Sequence, residues 1–149
     1  MDSKYEGNGK YYFEDGHYYI GEFKNNMKNG KGIDYYKNGN IKYDGDFINN
    51  KYDGNGKIYY ETGRFYIGQF KNNLRHGKGI EYNKNGSINY DGECVNDKAE
   101  GIGKVYYENG DYYIGQFKRN LRHGKGILYQ KNGIIIYDGN FSYDKFERV

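Results

Sequence analysis

A short aromatic–glycine phrase returns along this chain at a fixed interval, and that interval limits the fold more than any other feature. Tyr19-Ile20-Gly21-Glu22-Phe23 recurs as Tyr66-Ile67-Gly68-Gln69-Phe70 and as Tyr113-Ile114-Gly115-Gln116-Phe117, 47 residues apart each time. A second version stands between them: Tyr43-Asp44-Gly45-Asp46-Phe47, Tyr90-Asp91-Gly92-Glu93-Cys94 and Tyr137-Asp138-Gly139-Asn140-Phe141, again 47 apart. The repeat is therefore a pair of units, 24 and then 23 residues long. A fixed period of this size specifies stacked supersecondary units, each of which buries its apolar face only against its neighbours. Units at about 19–42, 43–65, 66–89, 90–112 and 113–136, with partial units at 5–18 and 137–149, account for the chain as a single domain.

Alternation within the phrase puts Tyr, Gly and Phe on one face and Ile or Asp plus an acid or Gln on the other, the period of a strand. Asp15-Gly16, Asn38-Gly39, Asn85-Gly86, Asn109-Gly110 and Asn132-Gly133 read as two-residue hairpin turns in which both central residues take φ > 0, with Thr62-Gly63 the weak member. The fold expected is all-β, a single-layer elongated antiparallel meander of stacked β-hairpins, with about 12 strands spanning roughly 50–60 Å at 4.8 Å per strand. Units that open on the Ile version (odd) differ from those that open on the Asp version (even). Gly77-x-Gly79-Ile80-Glu81-Tyr82 shifts its apolar residues by one position against Gly54-x-Gly56-Lys57-Ile58-Tyr59, and Ser87-Ile88-Asn89 is one residue longer than Arg64-Phe65. A β-bulge in each odd hairpin reconciles the two.

Composition says what builds the core. A mean hydropathy of −1.15 and 29% charged residues suit a disordered chain, but such chains are poor in aromatics, and here they reach 19%. Tyrosine, with 21 copies, must supply the apolar surface, its ring buried and its hydroxyl at the rim of a thin structure. Twenty-four glycines and no proline mark positional glycines rather than loops, with rings laid across the bare backbone. A net charge of +3 gives no basic face for nucleic acid. The single Cys94 excludes an intramolecular disulfide and fits a reducing compartment. There is neither an apolar run of about 20 residues nor an apolar leader, so the expectation is a soluble, cytoplasmic protein.

The pattern Tyr-x-Gly-x-Phe, loop, Gly-x-Gly and turn glycine, in units of 23 or 24 residues, resembles the MORN repeat (membrane occupation and recognition nexus). The resemblance covers nearly the whole chain and five full units match in phase; it departs where Phe or Cys94 takes the place of a Trp-like aromatic. It implies a non-catalytic scaffold that binds protein partners, cytoskeletal or motor-associated, or forms a homodimer, at the cytoskeleton or the membrane periphery. The alternatives it implies are weak peripheral contact with acidic phospholipids and a regulatory MORN segment of a larger enzyme such as a lipid kinase. Tyr5-Glu6-Gly7-Asn8-Gly9-Lys10 matches Tyr52-Asp53-Gly54-Asn55-Gly56-Lys57, so the sequence opens halfway through a unit. A rod of this kind has two uncapped strand edges, which invite pairing.

The candidate interaction face is the aromatic–glycine stripe: Tyr19, Phe23, Tyr43, Phe47, Tyr66, Phe70, Tyr90, Tyr113, Phe117 and Tyr137. Such a stripe serves as a packing core, and a one-layer sheet leaves part of it open as a groove. The candidate lipid contact is the basic loop Lys118, Arg119, Arg122 and Lys125, against which stands an expected alternation of basic and acidic hairpin ends along both rims. No catalytic constellation, cofactor site or metal site is expected. His76 and His123 share a repeat position with Asn29, His17 has no counterpart 47 residues on, and Cys94 stands where Phe stands in other units. Asp44, Asp91 and Asp138, four strands or roughly 19 Å apart, are too distant for a carboxylate pair, which works at roughly 5–9.5 Å.

Overall fold

The computed structural model describes residues 4–147, among which there are strands and turns and no helix, hence none long and apolar enough to cross a membrane. The chain divides into two compact units, one up to Leu74 and one from Arg75. The first holds β1 (Gly7–Tyr12), β2 (Tyr18–Lys24), β3 (Met27–Tyr35), β4 (Ile41–Ile48), β5 (Lys51–Tyr59) and β6 (Phe65–Lys71). The second holds β7 (Leu74–Tyr82, entered one residue before the boundary), β8 (Ile88–Val95), β9 (Lys98–Tyr106), β10 (Tyr112–Lys118), β11 (Leu121–Tyr129), β12 (Ile135–Ser142) and the short β13 (Lys145–Phe146). Within each unit every strand pairs antiparallel with its neighbours in sequence, giving the expected single-layer meander of hairpins.

The two kinds of hairpin end differ from the turns the sequence suggested. At Asn38-Gly39 only the glycine has positive φ (89°); Gly39 N–H donates to Tyr36 O (2.9 Å) and Tyr36 N–H to Asn40 O (2.8 Å). This is a longer turn closed by a left-handed glycine. The residue before the glycine serves through its side chain: Asn38 Oδ1 accepts from Asn40 N–H (2.9 Å), as Asn85, Asn109 and Asn132 accept two residues on. A hydroxyl does the same weakly, which is why Thr62 suffices, at 3.5 Å from Arg64 N. Two-residue turns with both φ positive lie at the other end of each hairpin and contain no glycine: Asn25-Asn26, Asn49-Asn50, Asn72-Asn73, Asn96-Asp97, Arg119-Asn120 and Tyr143-Asp144.

The second residue of each of these tips grips the preceding repeat. Asn50 N–H donates to Lys28 O (2.9 Å), while Lys28 N–H donates to Asn50 Oδ1 (2.8 Å). The same reciprocal pair joins Asn26 to Tyr5, Asn73 to Tyr52, Asp97 to Arg75, Asn120 to Ala99 and Asp144 to Arg122. An amide or carboxylate that tolerates the left-handed region and presents an oxygen to a neighbouring N–H explains the run of Asn and Asp.

A wide bulge sits inside the Gly-x-Gly phrase. Gly21 pairs with Gly32 and Phe23 with Lys28, so residues 29–31 lie opposite Glu22 alone; β4–β5, β8–β9 and β10–β11 repeat this. The acid or Gln of the phrase fills the bulge: Asp46 Oδ2 accepts from Asn55 N–H (2.9 Å) and Gln116 Oε1 from Lys125 N–H (2.8 Å). Gly124, at φ 91°, takes a backbone conformation that strains other residues, and a Cβ there would lie 2.2 Å from Gln116 Oε1 and displace it from the bulge. The additional bulge expected in odd hairpins is present and falls at Lys42, Asn89 and Ile136, between the pairs Asp34–Tyr43 and Tyr35–Ile41 and their equivalents. Even hairpins β5–β6 and β9–β10 run without a shift.

Candidate functional site

The candidate aromatic face is closed over most of its rings but opens beside β1 and β2, where Tyr5, Tyr11, Phe13, Phe23 and Lys28 line a hollow of about 660 Å³. Tyr19, Phe23, Tyr43, Phe47, Tyr66, Phe70, Tyr90, Tyr113 and Phe117 are buried, and of the ten residues only Tyr137 is half-exposed. The rings lie flat over glycine: a Cβ on Gly32 would sit 2.3 Å from the Tyr19 ring, and one on Gly126 2.3 Å from Tyr113. Each hydroxyl then reaches over the bulge of its own strand to a carbonyl, as Tyr19 donates to Glu22 O (2.7 Å) and Tyr113 to Gln116 O (2.7 Å). Hydroxyls expected at the rim are thus spent inside, which gives Tyr rather than Phe its place. Tyr19 meets Phe23 and Phe47 edge to face at 5.1 Å, linking one repeat to the next. Burial, with the charges of Asp34 and Glu22 behind it, pushes the Tyr19 hydroxyl up to about 12; burial raises Tyr113 to about 12 and raises Tyr43 and Tyr52 as well.

Cations of the odd units turn onto this face. Lys28 Nζ lies 3.1 Å from the buried Asp34 and 5.1–5.3 Å from the ring centres of Phe13, Tyr19 and Phe47, while Tyr52 donates to the other Asp34 oxygen at 2.9 Å. Arg75 pairs with Glu81 at 3.0 Å. Arg122 donates to Asp144 O (2.8 Å) and stands 5.1 Å above Phe141. The candidate basic loop therefore loses Arg122 to the interior contacts, whereas Lys118, Arg119 and Lys125 are exposed. Buried Cys94 fills the Phe position, and its thiol is held protonated by burial. Among the described residues no cluster of three or more His, Cys, Asp or Glu could hold a metal ion. His123 Nδ1 accepts from Tyr143 N–H at a hairpin tip (3.3 Å).

Two further surfaces are exposed. The first is the opposite face of the sheet, where Lys10, Ile20, Ile33 and Asp44 lie directly across from one another on β1–β4. Lys104, Ile114, Ile127 and Asp138 repeat the quartet on β9–β12. Ile20, Ile67 and Ile114 are 40%, 42% and 39% exposed. Alongside runs a row of rings, with Tyr18 stacked on Tyr35 at 4.6 Å and Tyr112 on Tyr129 at 4.8 Å. Lys10, Lys57 and Lys104 extend over this row, 4.7–4.8 Å from Tyr12, Tyr59 and Tyr106. Asp44 stands directly across from Lys57 and Asp91 directly across from Lys104, opposite charges on neighbouring strands. The signal for this surface was present in the sequence as the 47-residue alternation of Ile and Asp after each Tyr.

The second surface is the row of Asn-rich tips. There Arg75 and Arg122 of the odd loops bind Asp97 and Asp144 of the tips that follow, opposite signs side by side as the alternation expects. Each tip also carries one Lys, so the even tips are not purely acidic: Lys24, Lys51 and Lys71 in the first unit, Lys98, Lys118 and Lys145 in the second. At the glycine turns the alternation holds, as Glu14, Lys37 and Glu61 in one unit and Lys84, Glu108 and Lys131 in the other. An open groove of about 1350 Å³ follows that rim in the first unit, with a lining of mixed sign: Asp15 and Glu61 against Lys37 and Lys42.

Comparison with known proteins agrees with this architecture. The MORN repeat matches residues 1–18, 19–41, 43–63, 66–88, 90–112 and 113–134. No curated protein matches the chain. With matches over most of the chain, each opening at or near a unit boundary set by the tyrosine phrase, the chain belongs to the MORN repeat family.

Proposed function

We propose that this chain is a non-catalytic scaffold that binds protein partners, and that the contact is made by the second face of the sheet rather than by the aromatic–glycine face. MORN repeats are protein- and membrane-interaction modules. The observation that carries the reading is the recurrence of exposed Ile20, Ile67 and Ile114, flanked by stacked tyrosines and by charges of both signs on neighbouring strands. Exposed apolar groups bordered by charge suit a protein surface, where a few desolvated aliphatic and aromatic anchors carry the affinity. The test is affinity capture from the native cell with the intact chain and with an Ile20→Thr, Ile67→Thr, Ile114→Thr variant of equal melting temperature. Proteins retained by the first and lost from the second support the reading. Equal capture by both sinks it.

The tip rim supports a second reading, contact with an anionic lipid surface. One lysine per tip, with Val95 and Tyr143 exposed beside Lys98, Lys118, Arg119 and Lys145, puts like charges on neighbouring hairpins. Each adds about 1 kcal/mol near such a membrane. Binding to phosphatidylserine vesicles at about 0.15 M salt, abolished by Lys98→Ser, Lys118→Ser, Arg119→Ser and Lys145→Ser together, would favour it over the protein reading.

A further inference from the structure

We propose that the groove along the glycine turns of the first unit binds a proline-rich segment of another protein, held in the polyproline II conformation and carrying an acid and a base one turn apart. The site is separate from the exposed Ile face and stands whatever that face binds. It lies where the repeat departs from itself. In even units the residue that opens the glycine turn is aromatic, as Phe13, Tyr60 and Tyr107; in odd units it is Tyr36, then Asn83 and Gln130, each 47 residues on. Tyr36 is thus the one ring at that position in the odd units. His17 gives way in the same manner to Arg64 and Asp111, and Lys42 to Asn89 and Ile136. These three departures come together, because His17, Tyr36 and Lys42 all line the same open groove of about 1350 Å³.

The spacing of the turns selects the conformation. Successive hairpins are two strands apart, roughly 9.6 Å, and a polyproline II helix repeats every three residues, roughly 9.3 Å. One turn of such a helix therefore spans one hairpin step, whereas residues three apart on an extended strand point to opposite sides. Tyr36 and Tyr60, one step apart, present rings to two successive turns, and proline-rich segments dock on aromatic-lined grooves of this kind. The Tyr36 hydroxyl donates to Tyr59 O at 2.6 Å, which fixes its half-buried ring. Charge specifies the rest. The Asp15 carboxylate accepts from the His17 ring and backbone N–H. Among the described residues Lys37, Lys42 and Glu61 enter no ion pair. Burial and the charge of Glu61 raise the Tyr36 hydroxyl above its usual value, so Glu61 acts on the floor of the groove. An acid at the β3–β4 turn meets Lys37 and Lys42, and a base three residues on meets Glu61. So balanced a lining suits a chain of mixed charge rather than an anionic membrane.

Fluorescence anisotropy on the intact chain tests this with the capped, labelled peptide Pro-Pro-Glu-Pro-Pro-Arg-Pro-Pro. It binds saturably below about 1 mM. The same peptide with Gly for every Pro binds about tenfold more weakly or worse, because it is not preset in the bound conformation. Tyr36→Asn and Lys42→Asn bring in residues that the repeat itself uses at Asn83 and Asn89, and they weaken binding about tenfold and about threefold. Tyr36→Phe keeps the ring and keeps the binding. Glu61→Gln weakens the Arg peptide about threefold and leaves a peptide with Gln in place of Arg unchanged, a difference that a structural role for Glu61 would not produce. No saturable binding up to about 1 mM overturns the proposal. So do equal affinities for the Pro and Gly peptides, full affinity in Tyr36→Asn, or equal loss of both peptides in Glu61→Gln. If phosphatidylserine vesicles occupy the groove and the peptide does not, the site belongs to a lipid surface and the proposal falls.

Discussion

The two faces of the same sheet follow different rules. On the buried face both versions of the repeat agree: Tyr stands at 19, 43, 66, 90, 113 and 137, and the glycines beneath the rings never vary. On the exposed face the versions part, Ile in one and Asp in the other. The difference teaches where the two periods come from. Packing rings onto glycine is a demand every unit meets, so it repeats at 23 or 24 residues; the exposed face alternates Ile with Asp, and repeats at 47.

The sharpest way to break that distinction is to fill the glycine layer. Gly126→Val puts atoms within 2.3 Å of the Tyr113 ring, and we expect a loss of about 3 kcal/mol or more, read by chemical denaturation. The second largest effect belongs to the buried ion pair. Asp34→Ala strands Lys28 and the Tyr52 hydroxyl and should cost about 3 kcal/mol. Retention of wild-type stability in either variant would show that the buried face is looser than its geometry.

Alkaline titration probes the same layer without mutation. A tyrosine whose pKa is raised in the folded state contributes stability that is whole below the unfolded pKa, about 10, and is lost as pH rises through the folded value. Tyr19 and Tyr113 rise to about 12 because burial disfavours the phenolate. Thermal melts should be flat up to pH about 10 and fall steeply from there to about 12. Melts that begin to fall well below pH 10 would contradict the buried assignment.

Smaller effects belong to the hairpin tips. Asn50→Ala removes the Oδ1 acceptor for Lys28 N–H and places alanine at φ 72°, for an expected loss of about 1–2 kcal/mol; Asn50→Gly, which keeps the φ freely, should lose less. An Asn50→Gly variant as stable as wild type would mean that the side-chain clamp contributes nothing.

Strand phase, the count of hairpins and the odd-unit bulge were legible in the sequence, because a 47-residue period aligns three copies and exposes a one-residue difference such as Ser87-Ile88-Asn89 against Arg64-Phe65. Turn type was not. Asn-Gly is a strong two-residue signal, but here the Asn side chain caps the turn while Asn25-Asn26 and its equivalents take the left-handed pair. The stripe reads as a packing core, but the open groove expected beside it fails over most of its length for a related reason. A one-layer sheet has no second layer to cover its rings, but rings lying on glycine, with hydroxyls bonded to bulge carbonyls, cover themselves. Arg122 belonged to the basic loop by sequence position; only the geometry sends it to Asp144 and Phe141.

The most direct test of the division between faces is a pair of melting temperatures. One variant carries Ile20→Thr, Asp44→Ser, Ile114→Thr and Asp138→Ser, four changes on the exposed face that keep the β-branched residues; the other carries Gly126→Val alone. The account predicts that the fourfold variant melts within about 4 °C of wild type, while the single glycine change lowers the melting temperature by about 6 °C or more. A fourfold variant that falls as far as the glycine variant would mean that the exposed face holds the fold together too, and the separation of the two periods into fold and function would fail.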